Sequence, residues 1–465
     1  MKRLTLLAAA LVMVLGMAVS ASAAPEVSIS GNLLINAIWE SNWGFGKDRA
    51  DHVGDKAMEI RQRADLYFTV TANENLKGVL GFRSVKSNWG QGGFELDGAG
   101  SGTRNTIDIR DAYIDYNWPG TDVNVKAGLY TVALPQAVGG ASMIIAERAG
   151  AVMVSTPVTD NVSVLAGYTR LFDVDNNKKD NSDTDSNENT LGAGFDDAYA
   201  DGWLLAVPLS FEGVSATPYF LYADYGKNFL HAASYDAEDA SFEYDSDTDA
   251  HSYWVGTDFK MSIFDPFIVR ADLAFGKTDV DDYDNAETSG WMFDAALDYT
   301  GFDFMTVTGY FVYTSGDDSD VKTDGGNSMP VLNSDWAVGS FFFGGGSITS
   351  DDINGGDIET GFWVLGLDLA DIQSFADGLT HTVHVLYAKG TNDEKAANVS
   401  KTYGIGLTDQ DSLWEVDFNT DYQIYDELTL YTQLGYINSD FDEDVWGKDV
   451  DDDAWKVATG VVYKF

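Results

Sequence analysis

The chain has no cysteine in 465 residues. Disulfide frameworks, thiolate metal sites and cysteine nucleophiles are therefore excluded, and the absence suits export through an oxidising compartment. Histidine is scarce at five and proline at eight, which leaves few acid–base candidates and no Pro-rich linker between domains. Basic residues are also few: 28 Lys and Arg stand against 74 Asp and Glu, a formal net charge of −46. Such a surface repels nucleic acid, whose binding needs a basic footprint. Beyond residues 4–19 no stretch of about 18 consecutive apolar residues could supply a membrane helix.

Residues 1–23 read as a secretory signal peptide: basic Met1-Lys2-Arg3, an apolar core from Leu4 to Val19, and the small-residue site Ala21-Ser22-Ala23. The cut is placed after Ala23, because a cut after Ala24 would put Pro25 at the scissile bond. Removal of Lys2 and Arg3 leaves 74 acids against 26 bases, so the mature chain carries −48. Residues 24–465 are expected to form one domain. An exported chain without a spanning helix enters a membrane only as a closed sheet.

What is present is alternation. Val27, Ile29, Gly31, Leu33, Ile35, Ala37 and Trp39 share one parity, while Ser28, Ser30, Asn32 and Asn36 share the other. Met58, Ile60, Ala64, Leu66, Phe68 and Val70 alternate with Glu59, Arg61, Arg63, Asp65, Tyr67 and Thr69. Period-two alternation marks a strand with two unlike faces. The pattern recurs at 77–88, 105–118, 121–133, 149–156, 161–172, 201–211, 214–225, 251–261, 266–276, 290–300, 303–314, 358–369, 379–389, 412–424, 427–438 and 453–465. The expected fold is all-β, a transmembrane antiparallel barrel of eighteen strands. Sixteen is the alternative if a hairpin fails, with 149–156 and 201–225 the weakest segments.

The connections alternate in length. Asn73-Glu74-Asn75, Pro119-Gly120, Pro157 to Asp160, Glu212-Gly213, Asp265-Pro266, Gly301-Phe302 and Tyr425-Asp426-Glu427 are tight turns. The other links are long and hold the acids, as at Asp173–Asp185, Asp236–Asp249, Asp279–Asp284, Asp317–Asp324 and Asp440–Asp453. We expect these to be outward loops that hold divalent cations loosely. Short turns on one side and long loops on the other are the layout of outer-membrane barrels.

The final strand alternates from Trp455 and ends Tyr463-Lys464-Phe465. It resembles the closing strand of bacterial outer-membrane β-barrels, which implies that Phe465 is the signal read by the assembly machinery. As the bare edge of a soluble sandwich, the same strand would be an aggregation hazard. Arg110-Asp111-Ala112-Tyr113-Ile114-Asp115-Tyr116, Lys126-Ala127-Gly128-Leu129-Tyr130 and Ala133-Leu134-Pro135-Gln136-Ala137-Val138-Gly139-Gly140 follow one another. This stretch resembles trimeric general porins where the fifth strand feeds a loop folded into the barrel. Thr156-Pro157-Val158-Thr159-Asp160-Asn161 and Gly378-Leu379-Thr380-His381-Thr382 bring the resemblance closest to the porins of sulfate-reducing bacteria. The specific motifs cover about a third of the chain. The resemblance implies a homotrimer set in outer-membrane lipid and lipopolysaccharide, passing small hydrophilic solutes.

One departure matters. Porin pore loops usually carry carboxylates, but Leu134 to Ala146 has none, and Glu147 and Arg148 are the first charges. Eight of the nine arginines beyond Arg3 fall between Arg49 and Arg170. Arg61, Arg63, Lys77, Arg83 and Lys126 sit on the non-lipid faces of strands two, three and five, together with Glu59, Asp65 and Asp122. Either these charges neutralise one another, or the arginines present donors to passing anions. With Pro135, Gln136, Glu147 and Arg148 they form the expected pore lining. Parity sets Arg110 with Ala112 and Ile114, so it lies above the apolar belt or after a bulge.

Other constellations fail. His381 and His384 fall on opposite strand faces, and Asp183 to Glu188 lacks the glycine and glutamate of a calcium loop. Gly344-Gly345-Gly346 follows Phe341-Phe342-Phe343 rather than a strand leading into a helix. No Ser/His/acid set suggests an enzyme, and no catalytic, cofactor or metal residue is assigned. Two functions remain: a diffusion channel with anion preference at an arginine-lined constriction, or a barrel anchor whose acidic loops bind a surface partner.

Overall fold

The structure, a computed structural model, describes residues 25–41, 56–84, 87–89, 107–173, 199–226, 229, 248–332, 336–340, 360–396, 407–446 and 453–465. The signal peptide, Arg49, the Phe341 to Gly346 run, most of the acidic blocks at 173–185 and 236–249, and residues 447–452 of the block at 440–453 lie outside the described residues.

Eighteen strands close into one antiparallel barrel. The first nine are β1 Glu26–Ser41, β2 Lys56–Asn73, β3 Leu76–Ser84 (extended by Ser87–Asn88), β4 Ile107–Asn117, β5 Asn124–Ala133, β6 Ala146–Thr159, β7 Val162–Asp173, β8 Tyr199–Ala206 with Leu209–Phe211, and β9 Val214–Tyr225. The rest are β10 Ala250–Phe264, β11 Phe267–Val280, β12 Thr288–Tyr299, β13 Thr306–Thr314, β14 Phe362–Gln373, β15 Leu379–Gly390, β16 Ser412–Tyr425, β17 Leu428–Asp440 and β18 Ala454–Lys464. The sixteen-strand alternative falls away. The two weakest sequence segments are real: 149–156 is the middle of β6, and 201–225 is the β8–β9 hairpin. β8 is interrupted at Pro208, which has no N–H to give the ladder.

The seam joins β1 to β18 from Asn32↔Lys464 to Ser41↔Trp455. Beyond it Gly31 N–H donates to the Phe465 carbonyl at 2.9 Å, and Phe465 N–H returns the bond at 3.1 Å. A side chain on Gly31 would run into the Asp65 backbone and meet the Phe465 ring. Phe465 therefore completes the ladder and covers the glycine.

The faces are inverted relative to a soluble protein. On β12, Trp291, Phe293 and Leu297 are 53%, 39% and 47% exposed, whereas Met292 and Asp294 are at most 1% exposed. Apolar outside and polar inside is the pattern of a barrel in lipid. Ring contacts run across the outside in two bands. One passes through Tyr168, Trp203 and Tyr222, through Phe275 and Trp291, and through Phe311, Trp363, Tyr387 and Trp414. The other joins Phe267, Tyr299, Phe302 and Phe304, with Tyr463 stacked on Phe465. Such girdles sit at membrane–water interfaces.

Turns on one rim are short, as the sequence indicates, with adjustments: the Pro119-Gly120 link widens to 118–123 and the Gly301-Phe302 link to 300–305. β6 runs through Thr159, so the Pro157 to Asp160 turn shrinks to Asp160-Asn161. Pro157 is accommodated at a register shift between Pro157 and Thr159, where its missing N–H does least harm.

The inverted faces fix a test. Ala295 alternates outward with Phe293 and Leu297, while Thr308 lines the interior. Ala295→Arg should cost about 2–4 kcal/mol if it falls at the bilayer midplane. Thr308→Arg should cost much less, both read by denaturant unfolding in lipid vesicles.

Candidate channel constriction

The β4–β5 ladder stops at Ala112↔Leu129, and the β6–β7 ladder begins at Gly150↔Arg170. Between these limits β5 and β6 pair only with each other, as far as Ala133↔Ala146. This hairpin tip has left the wall and carries residues 134–145 into the lumen. Leu134, Val138, Met143, Ile144 and Ile145 are all at most 5% exposed, which accounts for the uncharged, apolar character of the segment.

Backbone polar groups buried in this way need partners, and the wall provides them. Asp272 on β11 accepts from Ala137 N–H, Asp294 on β12 accepts from the Gln136 amide, and Arg270 donates to the Ala137 carbonyl. The Gln136 oxygen accepts from Met143 N–H at 3.0 Å. The loop is thus stapled to wall strands well away from its own hairpin.

A second inward segment was not read from the sequence. Residues 328–332 and 336–340, between β13 and β14, lie against the first loop. Leu332 N–H donates to Ile144 O at 2.9 Å, Trp336 Nε1–H to Val138 O at 2.9 Å, and Ala337 N–H to Gly139 O at 3.2 Å. A Cβ at Gly139, whose φ is +92°, would collide with the Trp336 indole. Ser340 N–H donates to Asp417 at 2.7 Å, and Asn419 donates to Ser340 Oγ at 2.7 Å. The sequence signal existed: between Asp324 and Asp351 the only charged residue is Asp335, a nearly uncharged island akin to 134–146.

The two segments and the wall enclose a cavity of about 810 Å³. Five guanidinium groups line it (Arg63, Arg83, Arg110, Arg148 and Arg270), against the carboxylates Glu147 and Asp368, with His384 beside them. Arg110 faces inward because of a bulge: Gly81 pairs with Asp111 and Phe82 with Ile109, leaving Arg110 as the extra residue. Ile109 above it and Ile114 below it both stay on the outside, 55% and 50% exposed. Arg148 sits opposite Thr131 on the detached hairpin tip, and that pair lines the cavity while neighbouring Val132 and Ala149 are buried.

The arginines divide by partner. Arg83 forks onto Asp65, with its Nη2 at 3.0 Å from Oδ2, and Arg63 Nε lies 3.5 Å from the same carboxylate. Arg61 pairs with Glu59 at 2.6 Å, and Arg270 forks onto Asp298 at 2.9 and 2.7 Å. Arg110 and Arg148 have no ion pair among the described residues, although each acts electrostatically within the same group. Of the remaining sequence candidates, Lys77 pairs with Asp115 at 3.0 Å, and Lys126 lies 4.2 and 4.0 Å from the Tyr113 and Tyr130 ring centres. Neither lines the cavity. Pro135 is half-buried in the inward loop and Gln136 is a staple. Glu147 lines the cavity and accepts from the Arg148 N–H at 2.8 Å. His384 bonds Asp368 at 2.7 Å inside, while His381 stacks on Phe418 outside.

Acids face the arginine wall after all, but they stand on the barrel rather than on the loop. Asp258, Asp272 and Asp294 are successive cross-strand partners on β10, β11 and β12. Glu415 and Asp417 lie two apart on β16, both fully buried. The two inward segments cover most of these carboxyl groups.

Solved structures share this architecture. Pseudomonas aeruginosa OccK11 (OpdR) matches with a TM-score of 0.51 at 13% identity, over 94% of this chain and 96% of its own. OpdL of the same organism gives 0.53 at 11% identity, over 95% and 99%. OccK2 (OpdF), in complex with glucuronate, gives 0.51 at 13%, over 95% and 98%. At such identities the likeness is one of fold. No protein-family model matches the chain, and no curated protein does.

The staples make a prediction. Asp272→Ala with Asp294→Ala removes the wall acceptors for Gln136 and Ala137 and should free the first loop. Single-channel recordings should show a larger and noisier open conductance than the parent.

Proposed function

We propose that this protein is an outer-membrane porin: a water-filled channel for passive diffusion of small hydrophilic solutes, favouring anions at its constriction. The observation that carries the reading is the pair Arg110 and Arg148, two guanidiniums facing an 810 Å³ cavity without ion-pair partners among the described residues. A guanidinium stays charged at all accessible pH and presents a planar fork suited to carboxylates. The structural neighbours are porins of the OprD/Occ group, and one of them, OccK2, was solved in complex with glucuronate, a carboxylate sugar. A channel needs no catalytic group and no resident cofactor.

The anchor reading is weaker. Two inward segments narrowing a charged lumen have no use in a barrel that serves only to display loops. Binding of divalent cations by the acidic loops remains part of the proposal, as does contact with lipid and lipopolysaccharide. The homotrimer, and a kinship nearest to porins of sulfate-reducing bacteria, rest on sequence resemblance. Small outward residues on β1, Gly31 and Ala37, would let barrels approach closely, but Phe465 covers Gly31. Light scattering in mild detergent decides that part, and a monomer would leave the channel reading intact.

Planar-bilayer reversal potentials under a salt gradient test the channel. Arg110→Ser with Arg148→Ser should move the potential towards cations, even at high salt. Arg61→Ser should move it far less, since that side chain pairs with Glu59 outside the cavity lining. An unchanged potential in the double variant would refute the anion reading.

A further inference from the structure

We propose that Asp65 is the positioning residue of the constriction: one buried carboxylate that gathers Arg63 and Arg83 and thereby sets the geometry in which the arginine wall meets an anionic solute. The inference rests on the anion-channel reading and assigns a residue that no cation count would select, since Asp65 opposes the local charge.

The geometry is specific. Asp65 is 2% exposed at the heart of β2. Both its oxygens are engaged by the Arg83 fork, and Arg63 Nε approaches at 3.5 Å. The contacts come from two routes: Arg63 is two residues along the same strand and face, and Arg83 is the direct cross-strand partner, Asp65↔Arg83. Arg110 follows on the next strand, across the bulge at Gly81 and Phe82, within electrostatic reach of Asp65 and Arg83. Three guanidiniums crowded on one wall repel one another. A carboxylate buried among them offsets that repulsion, fixes Arg83 in a planar bidentate fork and holds Arg63 by a single longer ion-pair contact. Arg83 and Arg63 still line the cavity, but with orientations set from behind.

Charge and position make opposite forecasts, which makes the role testable. As a mere counter-charge, Asp65 weakens the wall, so Asp65→Asn would raise both chloride preference and affinity for an organic anion. As a positioning residue, its loss raises the net positive charge while releasing the guanidiniums from their orientation. The experiment measures two quantities in planar bilayers: the chloride reversal potential, and the glucuronate concentration that halves the chloride current. For Asp65→Asn we expect the potential to move further towards chloride while glucuronate block weakens by about tenfold, the scale of one charge-assisted hydrogen bond. Arg83→Lys conserves every charge but breaks the fork, and covers the case in which Asp65→Asn does not insert. It should weaken the block with little change in potential.

Tighter block in Asp65→Asn, or unchanged block in Arg83→Lys, would overturn the proposal. A parent channel with neither chloride preference nor glucuronate block would overturn the anion reading, and this inference with it.

Discussion

A backbone amide in hydrocarbon has no water to bond, so a sheet that crosses a membrane must close on itself. Every other feature depends on how that closure is made. Here β1 meets β18 with the terminal Phe465 bonded twice to Gly31, and the register is carried up the seam to Glu40↔Lys456. Those two side chains are buried on the lumen side, 3.7 Å apart. Because side-chain direction has a period of two, a slip of one residue would turn the lumen charges of β2 and β3 towards lipid. The seam therefore fixes the position of the arginine wall as well as the closure of the barrel.

The same demand for satisfied backbone groups governs the lumen. A loop folded inward cannot leave its N–H and C=O groups unpaired, and two loops do so here. Their amides find carboxylates on the wall, Asp272 for the first and Asp417 for the second, and carbonyls and amides on each other. This explains the unusual distribution of charge. The loops carry almost none, since their bonding is largely through backbone, and the acids that hold them stand on β11, β12 and β16. The wall opposite Arg63, Arg83 and Arg110 is rich in carboxyl groups, with Arg270 among them, yet presents mostly uncharged loop to the cavity.

Much of the fold was legible because lipid outside and water inside impose opposite chemistry on alternate residues. Trp291, Phe293 and Leu297 against Met292 and Asp294 is a pattern that counting parity recovers, and eighteen strands follow. The inward path of residues 134–145 was legible for a related reason, since apolar residues without charge do not belong in an outer loop. The same signal in 328–340 went unread because acidic runs flank it. What parity could not supply was the partnership of each cation. Lys77 and Lys126 lie on the correct face but are occupied by Asp115 and by two tyrosine rings below the cavity. Arg110 enters the lumen only through a one-residue bulge at Gly81, which no alternation count registers. Arg148 faces the cavity because its hairpin tip leaves the wall, so the strand parity lower down does not apply to it.

The acidity of the whole chain and the proposed anion-favouring constriction are compatible because they act over different distances. Most of the −48 belongs to acids on long links, where exposed charge is screened within about 8 Å at physiological salt. The cavity is lined by five guanidiniums and two carboxylates, enclosed by low-dielectric wall that focuses the field of the nearest charges. The mouth and the constriction thus operate in series. On the proposed anion reading, the acidic links would set which ions are enriched at low salt, and the constriction would set which ions cross once that charge is screened. Net charge read from composition describes the mouth. On the proposed reading, the selectivity of the pore would depend on the few guanidiniums that the register leaves without ion-pair partners among the described residues.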